Sequence, residues 1–158
     1  MGVKVALETD AANCGGPNNL FELMRLTIML QRFNTSDYRN WLKPKEVWEM
    51  ATLGGAAAMG MKDKVGIIAK GSRADLVLLK SETLAFSPQN NLLSQLVHQE
   101  TGSSVDSVMI NGQWTVREGR ICTFDEVDVL RKARERQAKL LERCSDALEF
   151  AKLQETIF

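Results

Sequence analysis

The hydrophobic period of this chain changes at Met61, and that change restricts the folds open to it. Before Met61 the apolar residues keep helical spacing. Leu20, Leu23, Met24 and Ile28 predict a helix over residues 20–33, with Asn18 or Asn19 as its cap. Residues 34–43 read as a connector. Pro44 then suits a first helical position, and Val47, Trp48, Met50, Ala51 and Leu53 face a core. Gly54-Gly55 interrupts this second helix, and Gly60 is placed to close it as a left-handed cap. Beyond Met61 the runs 65–68 and 74–79 are strand-like and no helical period spans them, so a second structural unit begins there.

Two further elements follow in that unit. Residues 92–98 predict a short helix. Residues 105–110 and 113–116 flank Asn111-Gly112, and Asn-Gly populates the positive φ angles that a type I′ hairpin turn requires. Thr123-Phe124-Asp125-Glu126 has a capping-box pattern, from which a long charged helix is expected to run to the C-terminus. At the other end Val3, Val5 and Leu7 alternate with Lys4, Ala6 and Glu8 as in a short strand, and a loop rich in Gly and Asn follows.

Composition excludes several classes of function. Twenty basic and twenty acidic residues, in no one-signed block, give no electrostatic case for nucleic acid or an anionic membrane as partner. No apolar run approaches the roughly 18 residues of a spanning helix, so a cytoplasmic location is the default expectation. Cys14, Cys122 and Cys144 are odd in number and far apart, which reads as reduced thiols rather than a disulfide framework or a zinc pair.

The most pointed chemical feature is Ala6-Leu7-Glu8-Thr9-Asp10, since a short apolar strand ending in an acid is how barrel enzymes present a reactive carboxylate. An Asp at that place equally serves as a cap or closes an Asx turn. Four motifs in order decide the reading. They are residues 5–10 with Asn18-Asn19-Leu20-Phe21-Glu22-Leu23-Met24-Arg25; Met50-Ala51-Thr52-Leu53-Gly54-Gly55-Ala56-Ala57; Val65 to Leu79 with Gly71-Ser72-Arg73-Ala74-Asp75-Leu76-Val77; and the 105–120 hairpin. With these the chain resembles the C-terminal part of the amidohydrolase superfamily, nearest its cytosine deaminase-like and triazine hydrolase-like aminohydrolases.

The resemblance implies an α/β fold: the C-terminal fragment of a metal-dependent (β/α)8 barrel, plus part of a composite β-sandwich, with a long C-terminal helix. Residues 1–61 would be the last barrel strand and closing helices, 62–122 the sandwich share and 123–158 the helix. A whole barrel needs about 250 residues, so the remainder is expected upstream and Met1 reads as an internal methionine. In the family, zinc or iron is held by a His-x-His pair and further histidines, and lowers the pKa of a bound water towards about 7. The final-strand Asp completes that site and moves the proton. Asp10 takes this catalytic and metal-binding position, and Asn13, Asn18 and Asn19 line the expected substrate pocket. His98, the only histidine, matches no family ligand, and Glu8 stands where relatives carry Gly.

The implied function is hydrolysis of a non-peptide carbon-nitrogen bond, by deamination of a small nitrogen heterocycle, in the complete protein. The isolated chain is expected to be inactive and to hold no cofactor. An unpaired 3–8 edge also predicts a homo-oligomer. The alternative reading is an autonomous non-catalytic structural or interaction module, or a degenerate gene remnant.

Overall fold

Asn19 starts the first helix: its side-chain oxygen accepts from the amides of Phe21 and Glu22, at 3.0 and 3.3 Å, two donors that the helix itself cannot satisfy. The computed structural model describes residues 3–11 and 18–145, in two units, Met1–Arg120 and Ile121–Phe158. From Asn19, α1 runs Leu20–Gln31 and tightens into a 3-10 turn at Arg32–Asn34. A second 3-10 turn, Tyr38–Asn40, leads to α2, Pro44–Glu49. There Glu46 reaches back to accept from the Lys43 amide at 2.7 Å.

The expected interruption at Gly54-Gly55 takes another form. The helix continues through a π turn, Met50–Gly54, into α3, Gly55–Ala58. It ends at Gly60, φ +68, where the Met61 amide bonds Ala56 O at 2.7 Å and the Gly60 amide bonds Ala57 O at 3.2 Å. That pair of bonds is the Schellman arrangement.

The core follows from the helical stripes. Met24 and Ile28, four residues apart on one face of α1, meet Val47 of α2 and Val97 of α4, Leu92–His98, and all four are buried. Leu7, Phe21, Leu42, Trp48 and Ala51 pack around them. Each fully buried side chain of this kind contributes about 1.5–3 kcal/mol.

The 65–68 run is not a strand. Gly66 takes φ +83, the Lys64 amide bonds Met61 O, and Arg73 N bonds back to Lys64 O, so the segment closes on itself as turns. Ile68 is left 92% exposed. Strand structure begins at β1, Leu76–Leu79, which pairs antiparallel with β2, Val105–Ile110. β3, Gln113–Arg117, returns along β2, and the sheet order is β1-β2-β3-β4 with β4 at Arg120–Ile121.

The hairpin tip forms as the sequence predicts: Ile110 pairs Gln113 across Asn111, φ +50, and Gly112, φ +80. Asp75 explains the acid in the Ala-Asp-Leu-Val motif. Its Oδ1 accepts from the Asn111 amide at 2.6 Å, while Gly112 N donates to Ala74 O at 3.0 Å, so the tip is tied to the start of β1.

Glu100 joins the helical layer to the sheet. It is fully buried, and its Oε1 accepts from the amides of Thr101, Gly102 and Ser104 at 3.0, 2.6 and 3.1 Å. The shaped turn is used on three sides. Thr101 O receives Asn19 Nδ2, Ser104 O receives the Lys80 amide, and the Ser104 hydroxyl bonds Thr83 Oγ1 at 2.9 Å.

The second unit holds α5, Glu126–Arg143, whose cap is Asp125 rather than the expected Thr123. Asp125 Oδ1 reaches the Val127 and Asp128 amides at 2.9 and 3.2 Å, the distances a capping oxygen needs. Arg131 and Lys132 pair with Asp128, and Arg131 also pairs with Glu135. The remainder of the helix expected to the C-terminus lies outside the described residues. No helix among the described residues is long and apolar enough to cross a membrane.

Two measurements test the ties. Burial pushes the Glu100 carboxyl up, but hydrogen bonds from Ser104, Gly102 and Thr101 outweigh it and hold the group below its ordinary 4.5. A depressed carboxyl stabilises above its unfolded value, and that contribution is lost as pH falls through the folded one. Glu100→Gln is therefore expected to cost about 2 kcal/mol at pH 6, and the gap to wild type, measured by urea unfolding, closes as pH falls below 4.5. A gap independent of pH would show that the charge is not what binds the turn. Asp75→Ala is expected to cost about 1 kcal/mol and to speed hydrogen exchange at Asn111 and Gly112 while leaving Val97 unchanged.

Candidate functional site

Residues 3–9 form no hydrogen-bonded strand, although their alternation predicts one. A strand needs a neighbour to complete its ladder, and no strand among the described residues lies beside this segment. Among the described residues its backbone is held instead by one bond to the helical layer, Leu7 N to Met50 O at 3.3 Å. Leu7 faces the core cluster while Val3 is 80% exposed and Val5 50%. An open groove of about 600 Å³ runs beside them, lined by Val3, Val5, Glu49, Met50, Leu53 and Gly54 among others.

Asp10 ends this segment on the surface. Its φ of +56 lies in the left-handed region, which non-glycine residues enter at a cost and which Asp and Asn tolerate better than most. One carboxylate oxygen, Oδ1, accepts from the Ala11 amide at 2.6 Å, and the Thr9 hydroxyl lies 3.4 Å from Asp10 O. This bond to the next residue's amide is neither a helix cap nor an Asx turn, which reach two or three residues on. Among the described residues it uses one oxygen of the two, on an exposed residue, and the groove beside Val3 and Val5 does not include Asp10 among its lining residues.

The asparagines divide. Asn13 lies outside the described residues, as does Cys14. Asn18 is exposed at the entrance to α1. Asn19 uses both ends of its amide structurally: the oxygen caps α1, and Nδ2 donates to Thr101 O at 2.7 Å, 82 residues along the chain. That second bond carries no sequence signal, since Thr101 offers only a backbone carbonyl. Glu8 is exposed, two residues before Asp10.

His98 is half-buried at the end of α4. Burial, and then the positive charge of Arg32, push its imidazole below the ordinary 6.5. Arg32 itself stacks over Trp41, 5.0 Å from the ring centre. Among the described residues no three His, Cys, Asp or Glu side chains converge to hold a metal ion. Asp10 supplies a single carboxylate, so the described residues do not by themselves fit a catalytic metal, which requires three or more protein ligands.

The geometry has clear relatives. The model of the amidohydrolase family matches residues 1–115. A 5-methylthioadenosine/S-adenosylhomocysteine deaminase of Syntrophomonas wolfei is 36% identical over 140 residues, covering 89% of this chain and 32% of that protein. An S-triazine hydrolase of Gordonia rubripertincta is 33% identical over 147 residues, covering 90% and 30%. The crystal structure of an adenosine deaminase from Xanthomonas campestris, solved with bound zinc, superimposes with a TM-score of 0.82 at 28% identity, over 87% of this chain and 31% of that one. This chain thus spans about a third of the length of the curated relatives it matches. With the family model covering residues 1–115, most of its length, the chain belongs to the amidohydrolase family.

Proposed function

We propose that this chain is the C-terminal third of a hydrolase that deaminates a nitrogen heterocycle, with Asp10 as its proton-handling carboxylate. The observation that supports it is the presentation of Asp10: an exposed carboxylate, at the end of an apolar segment, in a left-handed backbone conformation, inside the region matched by the family. In this reading residues 1–61 are the final barrel strand and its closing helices, 62–122 the C-terminal share of a composite β-sandwich and 123–158 the terminal helix. Zinc or iron would be held mainly by residues beyond this chain, with Asp10 as one ligand.

The relatives support the substrate class. Their names specify 5-methylthioadenosine, S-adenosylhomocysteine and s-triazine; each contains an electron-poor nitrogen ring, and the first two carry an amino group on it. Asp10 would take the proton released when water adds to such a ring carbon and return it to the departing nitrogen, general acid–base work of the kind that contributes 10²–10⁴-fold. In this reading Asn18, exposed beside the cap of α1, would be the described asparagine that touches substrate, and Asn19 would act by capping α1.

The isolated chain is expected to release no ammonia from 5-methylthioadenosine and to lose added zinc on gel filtration; turnover by the chain alone would overturn its assignment as an incomplete enzyme. A chimera carrying residues 3–145 in place of the matching third of the Syntrophomonas deaminase is expected to release ammonia, and Asp10→Asn within it to lower kcat by about 10²–10⁴. Full activity of that variant would remove Asp10 from the chemistry. A folded, zinc-loaded chimera that releases no ammonia would favour the non-catalytic module.

The exposed apolar edge at Val3 and Val5 also bears on assembly, because unpaired backbone beside apolar side chains favours pairing between copies. Sedimentation at tens of micromolar should therefore give dimers or larger species, and a clean monomer would argue against that pairing.

A further inference from the structure

The π turn at Met50–Gly54 sits where the segment carrying Asp10 meets the helices. In a regular α-helix the Met50 carbonyl would be taken by the amide of residue 54. Here it accepts from Gly55, one residue later, and from Leu7 N at 3.3 Å. Among the described residues this is the one backbone hydrogen bond that residues 3–9 make to another part of the chain.

The turn leaves no room for adjustment. A Cβ on Gly54 would overlap the Val5 carbonyl oxygen and would stand 3.2 Å from Glu49 O and 3.5 Å from Ala6 Cα. These atoms are backbone, so no rotamer change relieves the clash. On its other side the turn is closed by Gly66, where a Cβ would meet Thr52 O at 3.0 Å and Leu53 N at 3.3 Å. Inside the turn the Thr52 hydroxyl donates to Trp48 O at 2.7 Å. Gly55, by contrast, has open space around it. π turns inside helices recur at functional sites, and this one has a specific task available.

We propose that Gly54 and the π turn it ends form a positioning element: they set how deeply residues 3–9 seat against the helices and hence, through Leu7 three residues earlier, where the Asp10 carboxylate is presented. The inference rests on the reading of Asp10 as the reactive group. A side chain at position 54 would push Val5 and Ala6 outward, break Leu7 N–Met50 O and move Asp10 with them.

The test is NMR with hydrogen exchange on this chain. In wild type the Leu7 amide is expected to exchange at least tenfold more slowly than those of Val3 and Val5. Gly54→Ala should abolish that protection and shift the Ala11 amide resonance, which reports the bond to Asp10 Oδ1, while the Val47 and Val97 amides keep their protection. Gly55→Ala should do neither. Should Gly54→Ala not fold, Thr52→Val decides: it removes the Trp48 bond from within the turn at nearly constant volume and is expected to shift Ala11 as well. An unprotected Leu7 in wild type overturns the proposal. So does an unmoved Ala11 in the folded Gly54→Ala or in Thr52→Val, or a Gly55→Ala change equal to that of Gly54→Ala. None of these readouts involves metal or turnover, so they stand if Asp10 proves inert, and their failure leaves the chimera result intact.

Discussion

The buried Glu100 carboxylate is the point through which three parts of the first unit are tied. One of its oxygens collects three amides, and the turn thus shaped aims Thr101 O at the cap of α1 and Ser104 at the segment before α4. Its other oxygen, Oε2, is buried with no hydrogen-bond partner among the described residues. A buried carboxylate half-satisfied in this way is costly, so the tie holds by the strength of three charge-assisted bonds concentrated on one atom. Removing any segment that the turn grips would loosen the other two.

The contrast with the N-terminal segment is instructive. The sheet closes its own ladder, with β2 and β3 joined at a two-residue tip and β1 brought in from before α4 and fastened by Asp75. Residues 3–9 have no ladder, and a helix carbonyl takes the place of a neighbouring strand. Val3, Val5 and Leu7 share one side of this extended segment, and along that side Leu7 meets the core while Val3 is open.

What the sequence revealed follows the range of the interactions involved. The 92–98 helix, the Asn111-Gly112 hairpin, Pro44 at the start of α2 and the Gly60 cap were all legible, because each depends on residues within one turn of one another. The 65–68 and 3–8 strands were not: alternation gives a face to bury but cannot supply the partner strand, and Gly66 at positive φ turned the first of them back on itself. Thr123 and Asp125 both offer a capping oxygen, and the backbone decided between them. At the site, the expectation for Asp10 came from the family motifs around it and not from the residue itself. The double duty of Asn19 and the burial of Glu100 were not, since both depend on backbone atoms brought together over long distances in the chain.

The left-handed conformation at Asp10 has a consequence for how this position can drift. Few residues accept that backbone comfortably, and asparagine and glycine are chief among them. The nearest neighbour of aspartate under the constraint of shape is therefore a residue of the same size with no charge, one nucleotide change away. The fold would not register the exchange, because an amide oxygen can accept from Ala11 as a carboxylate does. Selection for folding is blind here, and only selection for chemistry can keep the acid, so the retention of Asp or its decay to Asn among the near kin of this chain would record whether its lineage still has a reaction to perform.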